Sequence, residues 1–326
     1  MNNFGRIFRL SIFGESHGKG VGITIDGCPA GIDLTEEDLY PDLERRKAGA
    51  RGTTPRKEKD LPTIVSGTFQ GKTTGAPITI LFHNKNTQSK DYSNLLDTPR
   101  PGHADFVAQK KFGKHNDYTG GGHFSGRITL GIVAAGAIAK KIINPVNIKA
   151  ELTEIGGRKD FGAAIEEALA EHDSIGGIVE CKANNLPVGW GEPFFDSAES
   201  IISHLIFSIP ATKGVEFGSG FAAAQMKGSE HNDNIISTTG KTETNHAGGI
   251  NGGITNGNEL FFRVAIKPTS SIGKVQRTMN VSENRMENLK IEGRHDACIA
   301  LRVPVIIEAA TAIALADLKL MDNSRR

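Results

Sequence analysis

Residues 126–143 are almost wholly glycine, alanine and aliphatic side chains, and no other stretch constrains the fold as strongly. The apolar spacing suits a helix and the small residues allow close neighbours, so the run reads as a tightly packed central helix. Gly131, Gly136, Lys140 and Lys141 interrupt it, and it is too short to span a bilayer. Upstream, residues 8–13 and 21–25 read as strands. Thr35 followed by Asp38 reads as the start of a helix running through Lys47. Residues 63–69 and 77–83 read as strands joined by a turn over 71–75, and the polar stretch 84–102 as a loop. Downstream, the spacing predicts helices over 160–173, near 197–207 and over 304–320, with strands over 176–181 and 259–266. This alternation lacks the regular rhythm of a Rossmann or barrel fold, so the expected class is α+β, one domain spanning residues 1–326.

Composition excludes several roles. A hydrophobic content of 38% and a mean hydropathy of −0.27 describe an ordinary soluble protein. A net charge of +1 argues against a partner held mainly through nucleic-acid phosphates. The charge is uneven, however: Arg45, Arg46, Lys47, Arg51, Arg56, Lys57 and Lys59 crowd one segment, which suits a small anion or forms a solvated basic face. Cys28, Cys181 and Cys298 are dispersed and form no C-x-x-C pair, which fits buried thiols in a reducing cytoplasm and gives no metal signature. No apolar signal region precedes Glu15, so the expected location is cytoplasmic, without a membrane partner.

Two apparent nucleotide motifs fail on spacing or context. Gly67-Thr68-Phe69-Gln70-Gly71-Lys72-Thr73 is one residue short of a phosphate-cradling loop and reads as a β-hairpin turn. Gly218-Ser219-Gly220-Phe221-Ala222-Ala223 lacks a surrounding βαβ unit and reads as a helix-entry turn.

The chemistry concentrates elsewhere. His17, in Gly14-Glu15-Ser16-His17-Gly18, and His103, in Arg100-Pro101-Gly102-His103-Ala104-Asp105, both lie in glycine-containing turns with an acid nearby to orient the imidazole. On the residues alone, catalysis stands beside the plainer reading of hydrogen-bonded structural histidines. Arg46 and Arg51 flank a turn, and Arg127 follows Gly120-Gly121-Gly122 at the head of the apolar helix, where guanidinium and backbone donors suit phosphate or carboxylate. Lys267-Pro268-Thr269-Ser270-Ser271, directly after a strand, is either a polar loop or a set of donors for a phosphate-bearing cofactor. Gly293-Arg294-His295-Asp296 places a cation, a base and an acid side by side, as a site or as a surface turn.

These motifs, together with Asn245-His246-Ala247-Gly248-Gly249-Ile250-Asn251-Gly252-Gly253, occur in the order seen in the chorismate synthase family, which the chain resembles from Phe4 to Leu315. The resemblance implies a β-α-β sandwich, with central helices between antiparallel sheets, assembled as a homotetramer. It implies a lyase of the shikimate pathway that converts 5-enolpyruvylshikimate 3-phosphate to chorismate and phosphate. That reaction is a 1,4-elimination requiring reduced FMN without net redox change. By similarity His17 protonates the departing phosphate, His103 protonates or stabilises the reduced flavin, and Asp296 assists proton removal. Arg46, Arg51, Arg127 and Arg302 bind the substrate's anionic groups. The positions matching the flavin site are His123, Phe124, Ser125, Pro210, Ala211, Gly252, Lys267, Pro268, Thr269, Ser270, Ser271 and Arg294. Whether the flavin is reduced by the protein itself with NADPH (the NADP-dependent reading) or by an external flavin reductase is left open.

The chain also departs from the family pattern. Thr119, His123 and Phe124 stand where many relatives carry arginine, arginine and serine, and Asn86 replaces a common aspartate. Two competing readings follow: a silent phosphometabolite- or flavin-binding protein, and a flavin oxidoreductase. The first has no need of the proton donors, and the second lacks a nicotinamide fingerprint.

Overall fold

The computed structural model describes residues 2–54, 59–85, 95–291 and 295–325. Strands β1 (Asn3–Phe4), β2 (Arg9–Gly14) and β3 (Gly20–Asp26) lead into α1 (Tyr40–Arg46). Next come β4 (Pro62–Ser66), a small hairpin of β5 (Thr68–Phe69) and β6 (Lys72–Thr73), and β7 (Ile78–His83). Helices α2 (Asp105–Phe112) and α3 (Thr129–Ile143) precede β8 (Asn147–Ile155), α4 (Phe161–Ala170) and β9 (Gly177–Asn184). After α5 (Ala198–Ser208), β10 (Thr212–Phe217) and α6 (Gly228–His231) come β11 (Ile250–Asn251), β12 (Ile254–Thr255) and β13 (Leu260–Ile266). A hairpin of β14 (Gln276–Asn280) and β15 (Arg285–Leu289), then α7 (Pro304–Arg325), follow.

Two antiparallel sheets, ordered β1-β2-β3-β7-β4 and β10-β13-β9-β8, form the outer layers. Helix α3 packs on the first sheet, α7 on the second, and the two helices pack on each other. The expected α+β sandwich with central helices is the observed fold. Its cause is visible in α3 and α7, which are apolar on nearly every side and therefore must be covered all round. At their crossing Gly136 has no room for a side chain: a Cβ there would lie 2.3 Å from Ala309 Cβ. Gly136→Ala should destabilise the protein by about 1–3 kcal/mol through overpacking, although alanine is the better helix former. Urea unfolding measures this, and unchanged stability would mean that the helix pair separates freely.

Buried charges in the core are paired. Glu308, 2% exposed, accepts both guanidinium branches of Arg45 at 2.7 Å, Lys140 Nζ at 3.0 Å and the Ala150 amide at 3.0 Å. Asp317 accepts the amides of Arg6, Ile7 and Phe8 at 2.8–2.9 Å, which fastens the chain between β1 and β2 onto α7. All three cysteines are buried, and burial pushes the Cys28 thiol up to about 11.

Several boundaries differ from the sequence reading. The strand expected over 63–69 stops at Ser66, because Gly67 turns at φ +85 and a Cβ there would clash with Ile78. The next residues form the β5–β6 hairpin, as the rejected phosphate loop implied. Gly220 opens a short 3-10 helix, as expected of a helix-entry turn. Asp160 and Ser197 are N-caps of α4 and α5, accepting the amides of Ala163 and Ser200 at 3.1 Å. Strand β8, helix α2 and the β14–β15 hairpin were not anticipated. Among the described residues no helix is long and apolar enough to cross a membrane.

Candidate active site

The centre of the site is the loop Gly120-Gly121-Gly122, whose residues have φ of +59, +81 and +52. Gly122 packs so tightly that a Cβ would lie 2.0 Å from the Asp117 carbonyl oxygen, so only glycine fits. The two histidines lie against consecutive glycines of this loop. A Cβ on Gly120 would fall 2.4 Å from His17 Cδ2 and 2.5 Å from His17 Nε2. One on Gly121 would fall 3.6 Å from His103 Cε1 and Nε2. The sequence separates these imidazoles by most of the N-terminal sheet; the fold brings both to one loop.

Each histidine is held differently. The His17 turn closes through the Gly18 amide on the Glu15 carbonyl at 3.1 Å, and the Ser16 amide donates to Gly122 O at 3.0 Å. The Asn84 side-chain amide straps the same turn, donating to the carbonyls of Glu15 at 2.9 Å and Gly18 at 2.8 Å. Sequence reasoning passed over Asn84, since a lone asparagine after a strand carries no motif. His103 Nδ1 meets Asp105 Oδ1 at 2.6 Å and Arg100 Nη2 at 3.0 Å. Arg100 and Asp105 are themselves buried and doubly bonded, Nε to Oδ2 and Nη2 to Oδ1, both at 2.7 Å. Burial works to raise the Asp105 pKa, but hydrogen bonds from Arg100 and His103 and their charges hold its carboxyl well below the usual carboxylate range.

The Lys267 loop joins the His103 side. Arg100 Nη1 donates to Ser271 Oγ at 3.0 Å, and Ser270 Oγ donates to the Gly102 carbonyl at 2.7 Å. Lys267 Nζ donates to Ser270 Oγ at 2.8 Å, and its amide donates to the Ala211 carbonyl at 2.9 Å, with Ala211 at φ +75 after Pro210. Burial, helped by the charge of Lys213, lowers the Lys267 pKa. Pro268 is exposed. Thr269 Oγ1 is buried without a hydrogen-bond partner among the described residues.

The arginines gather on the His17 side. Arg127 donates Nε to Asn84 Oδ1 at 2.6 Å and Nη1 to Asp60 Oδ1 at 2.8 Å, while its Nη2 is buried without a partner among the described residues. Arg46 donates to Thr129 Oγ1 at 3.0 Å and Gly126 O at 2.8 Å, and its Nη1 lies 3.7 Å from Asp60. Burial and the charges of Arg302 and Arg127 pull the Arg46 guanidinium down to about 9 against the opposing pull of Asp60 and Asp296, so it stays charged at neutral pH. Arg302 donates to the Arg46 carbonyl at 3.1 Å and lies 3.5 Å from Asp296, whose Oδ1 also accepts the Thr54 amide at 2.9 Å. The structure thus brings together Arg46, Arg127, Arg302 and Asp296. It places Arg51 apart, its exposed guanidinium paired with Glu166.

The remaining expected positions have mixed surroundings. Ser125 Oγ accepts the Arg127 amide at 3.3 Å and so caps the helix entry. Phe124 is 39% exposed, with its ring 6.3 Å from that of Phe112. His123 engages both ring nitrogens, with the Gly14 carbonyl at 2.7 Å and Asn2 Oδ1 at 3.1 Å, which pins the N-terminal segment. Thr119 bonds Asp117. Gly252 lies in the β11–β12 turn, with nothing within 4 Å of where a Cβ would be. Arg56, Lys57, Asn86, Gly293 and Arg294 lie outside the described residues.

Comparison with known proteins decides the family. The profile described as chorismate synthase matches residues 8–320. The chain belongs to the chorismate synthase family. It is 64% identical over 324 residues to a protein of Chitinophaga pinensis named chorismate synthase, covering 99% of this chain and 98% of that one. A Methanocaldococcus jannaschii protein of the same name is 43% identical over 365 residues, covering 98% and 96%. A solved structure titled "Crystal Structure of Chorismate Synthase" superposes with a TM-score of 0.76 at 28% identity, covering 98% of this chain and 93% of that one. Chorismate synthases are enzymes of the lyase class, and the sandwich described above is the architecture this chain shares with that solved structure.

Proposed function

We propose that this chain converts 5-enolpyruvylshikimate 3-phosphate to chorismate and phosphate by 1,4-elimination with reduced FMN as cofactor. The observation that carries this reading is the placement of His17 and His103 on consecutive glycines, beside an arginine cluster in which Arg127 Nη2 is buried and, among the described residues, unpartnered. A silent binder would need the cations but not two imidazoles brought to one loop. The substrate carries a phosphate and two carboxylates, and Arg46, Arg127 and Arg302 supply complementary charge.

The Lys267 loop suits the cofactor's phosphate. Lys267 Nζ bonds only neutral oxygens among the described residues, and the orphaned Thr269 hydroxyl is a spare donor. Lys267, Thr269, Ser270 and Ser271, with the neighbouring Pro210–Ala211 backbone, would hold FMN there. When bound, reduced FMN supplies an electron-rich ring that promotes loss of phosphate and accepts a proton. His17 donates a proton to the departing phosphate, and the incoming phosphate dianion favours its charged form against the nearby arginines. His103, held by Asp105, presents Nε2 toward the Gly121 face, where it stabilises an anion. Asp296, oriented by Arg302 and the Thr54 amide, assists removal of the substrate proton. Arg51 reaches substrate only if it leaves Glu166, and His123 acts through the N-terminal segment rather than by direct contact. Phe194 and Phe195 are 85% and 90% exposed, an apolar surface compatible with the tetramer that the resemblance implies.

The test is an anaerobic assay with photoreduced FMN and 5-enolpyruvylshikimate 3-phosphate, following chorismate absorbance and phosphate release together. Equal amounts of both products, absent with oxidised FMN, are expected. Tight binding of flavin and substrate without turnover would favour the silent binder instead.

A further inference from the structure

Asp60 is an acid inside a pocket read as an anion site. Its backbone is left-handed at φ +48, a region that aspartate and asparagine enter more readily than most residues. Its side chain is 5% exposed, and it faces two guanidiniums, Arg127 at 2.8 Å and Arg46 at 3.7 Å. Neither proton transfer nor cofactor binding requires it. Its place is explained by the arginines: Arg46, Arg127 and Arg302 lie close together, and Asp60 and Asp296 are the carboxylates that oppose their charge on Arg46.

The geometry at Arg127 sharpens this. A paired grip on phosphate or carboxylate needs two guanidinium donors side by side. Asn84 occupies the Nε donor and Asp60 takes one N–H of Nη1, so Nη2 is the guanidinium nitrogen left without a partner among the described residues. An anion arriving at Arg127 therefore meets Nη2 first. It reaches the Nε side of the guanidinium only if Asn84 yields, and draws Nη1 away from Asp60 only by displacing that carboxylate. We propose that Asp60 is an internal counter-ion, a positioning residue that holds Arg46 and Arg127 together when no anion is bound and competes with the anion that enters. This inference rests on reading the cluster as the substrate's anion site. Competition of this kind weakens the hold on released inorganic phosphate.

Asp60→Asn tests it, since asparagine tolerates the left-handed backbone and keeps an acceptor for Arg127 while removing the charge. Asp60→Ser removes the same charge with a smaller side chain and serves if the first variant does not fold. With oxidised FMN present, calorimetric titration of inorganic phosphate should show affinity about tenfold higher in the variant than in the wild type, a change of about 1.4 kcal/mol. Thermal unfolding without phosphate should occur at a lower temperature in the variant, with the gap closing as phosphate is added. Phosphate affinity unchanged or weakened in the folded variant would overturn the proposal. Titration of 5-enolpyruvylshikimate 3-phosphate into the wild type separates the two readings. No binding there, with tighter phosphate binding in the variant, would keep the counter-ion and remove the substrate assignment.

Discussion

Replacing Gly120 by alanine is expected to lower kcat by about 100-fold, the cost of displacing by an ångström the imidazole proposed above as the proton donor. The new Cβ would be 2.4–2.5 Å from the His17 ring, so the imidazole must move or the loop must shift. The left-handed backbone at φ +59 adds strain for any residue with a side chain. The protein should still fold, because the clash is with the end of a partly exposed side chain rather than with the core. A double-mutant cycle separates a local effect from general damage. In a His17→Ala background the added methyl has no ring to displace, so Gly120→Ala should cost far less there than in the wild type. Equal losses in both backgrounds would show that the loop, not His17, carries the effect.

Asp105→Asn should remove about 3–5 kcal/mol of stability at neutral pH, since it leaves the buried Arg100 guanidinium without its counter-charge. The pH dependence has a definite sign. Asp105 titrates below the ordinary carboxylate range when folded, so the native state binds fewer protons than the unfolded one. Its contribution is therefore complete above the unfolded value of about 4 and is lost as pH falls through that value toward the folded one. Urea unfolding of both proteins should show the full gap at neutral pH and a narrowing gap in acid. A gap that widens in acid would assign the stability to another group. His103 loses its charged acceptor in the same variant, so kcat should fall as well, and its pH profile should move with it.

The sandwich was legible because its largest elements follow simple rules. Residues 128–139 are apolar on nearly every side, Pro304 opens a long apolar helix, and Asp160 and Ser197 are ordinary caps. Strand β8 escaped notice although Ile148, Ala150 and Leu152 alternate, because charged residues between them mask a strand covered on one face only. Helix α2 has almost no apolar face to detect, with Lys110 and Lys111 beside Phe106 and Phe112. In the site, the ordered motifs mark His17, His103 and Asp296, a turn and a helix head mark Arg46 and Arg127, and the resemblance adds Arg302, but none of these signals marks Asn84 or Asp60. Those two matter through partners far along the chain, and spacing carries no trace of that. Arg51 shows the converse, a residue marked by its motif that the fold turns toward Glu166 at the surface.

Adjacent residues at the end of α1 serve different parts of the molecule. Arg45 reaches Glu308 near the start of α7, while Arg46 reaches Thr129 and the Asp60 carboxylate of the arginine cluster. One helical turn thus ties the interior to the chemistry. Mutational drift at Glu308, which looks like a matter for folding alone, would rotate that turn and carry Arg46 with it. Lineages that replace the glutamate should be found to have altered Arg45 and Lys140 as well. For an engineer, the same linkage offers a handle on the placement of Arg46 from a position on another helix.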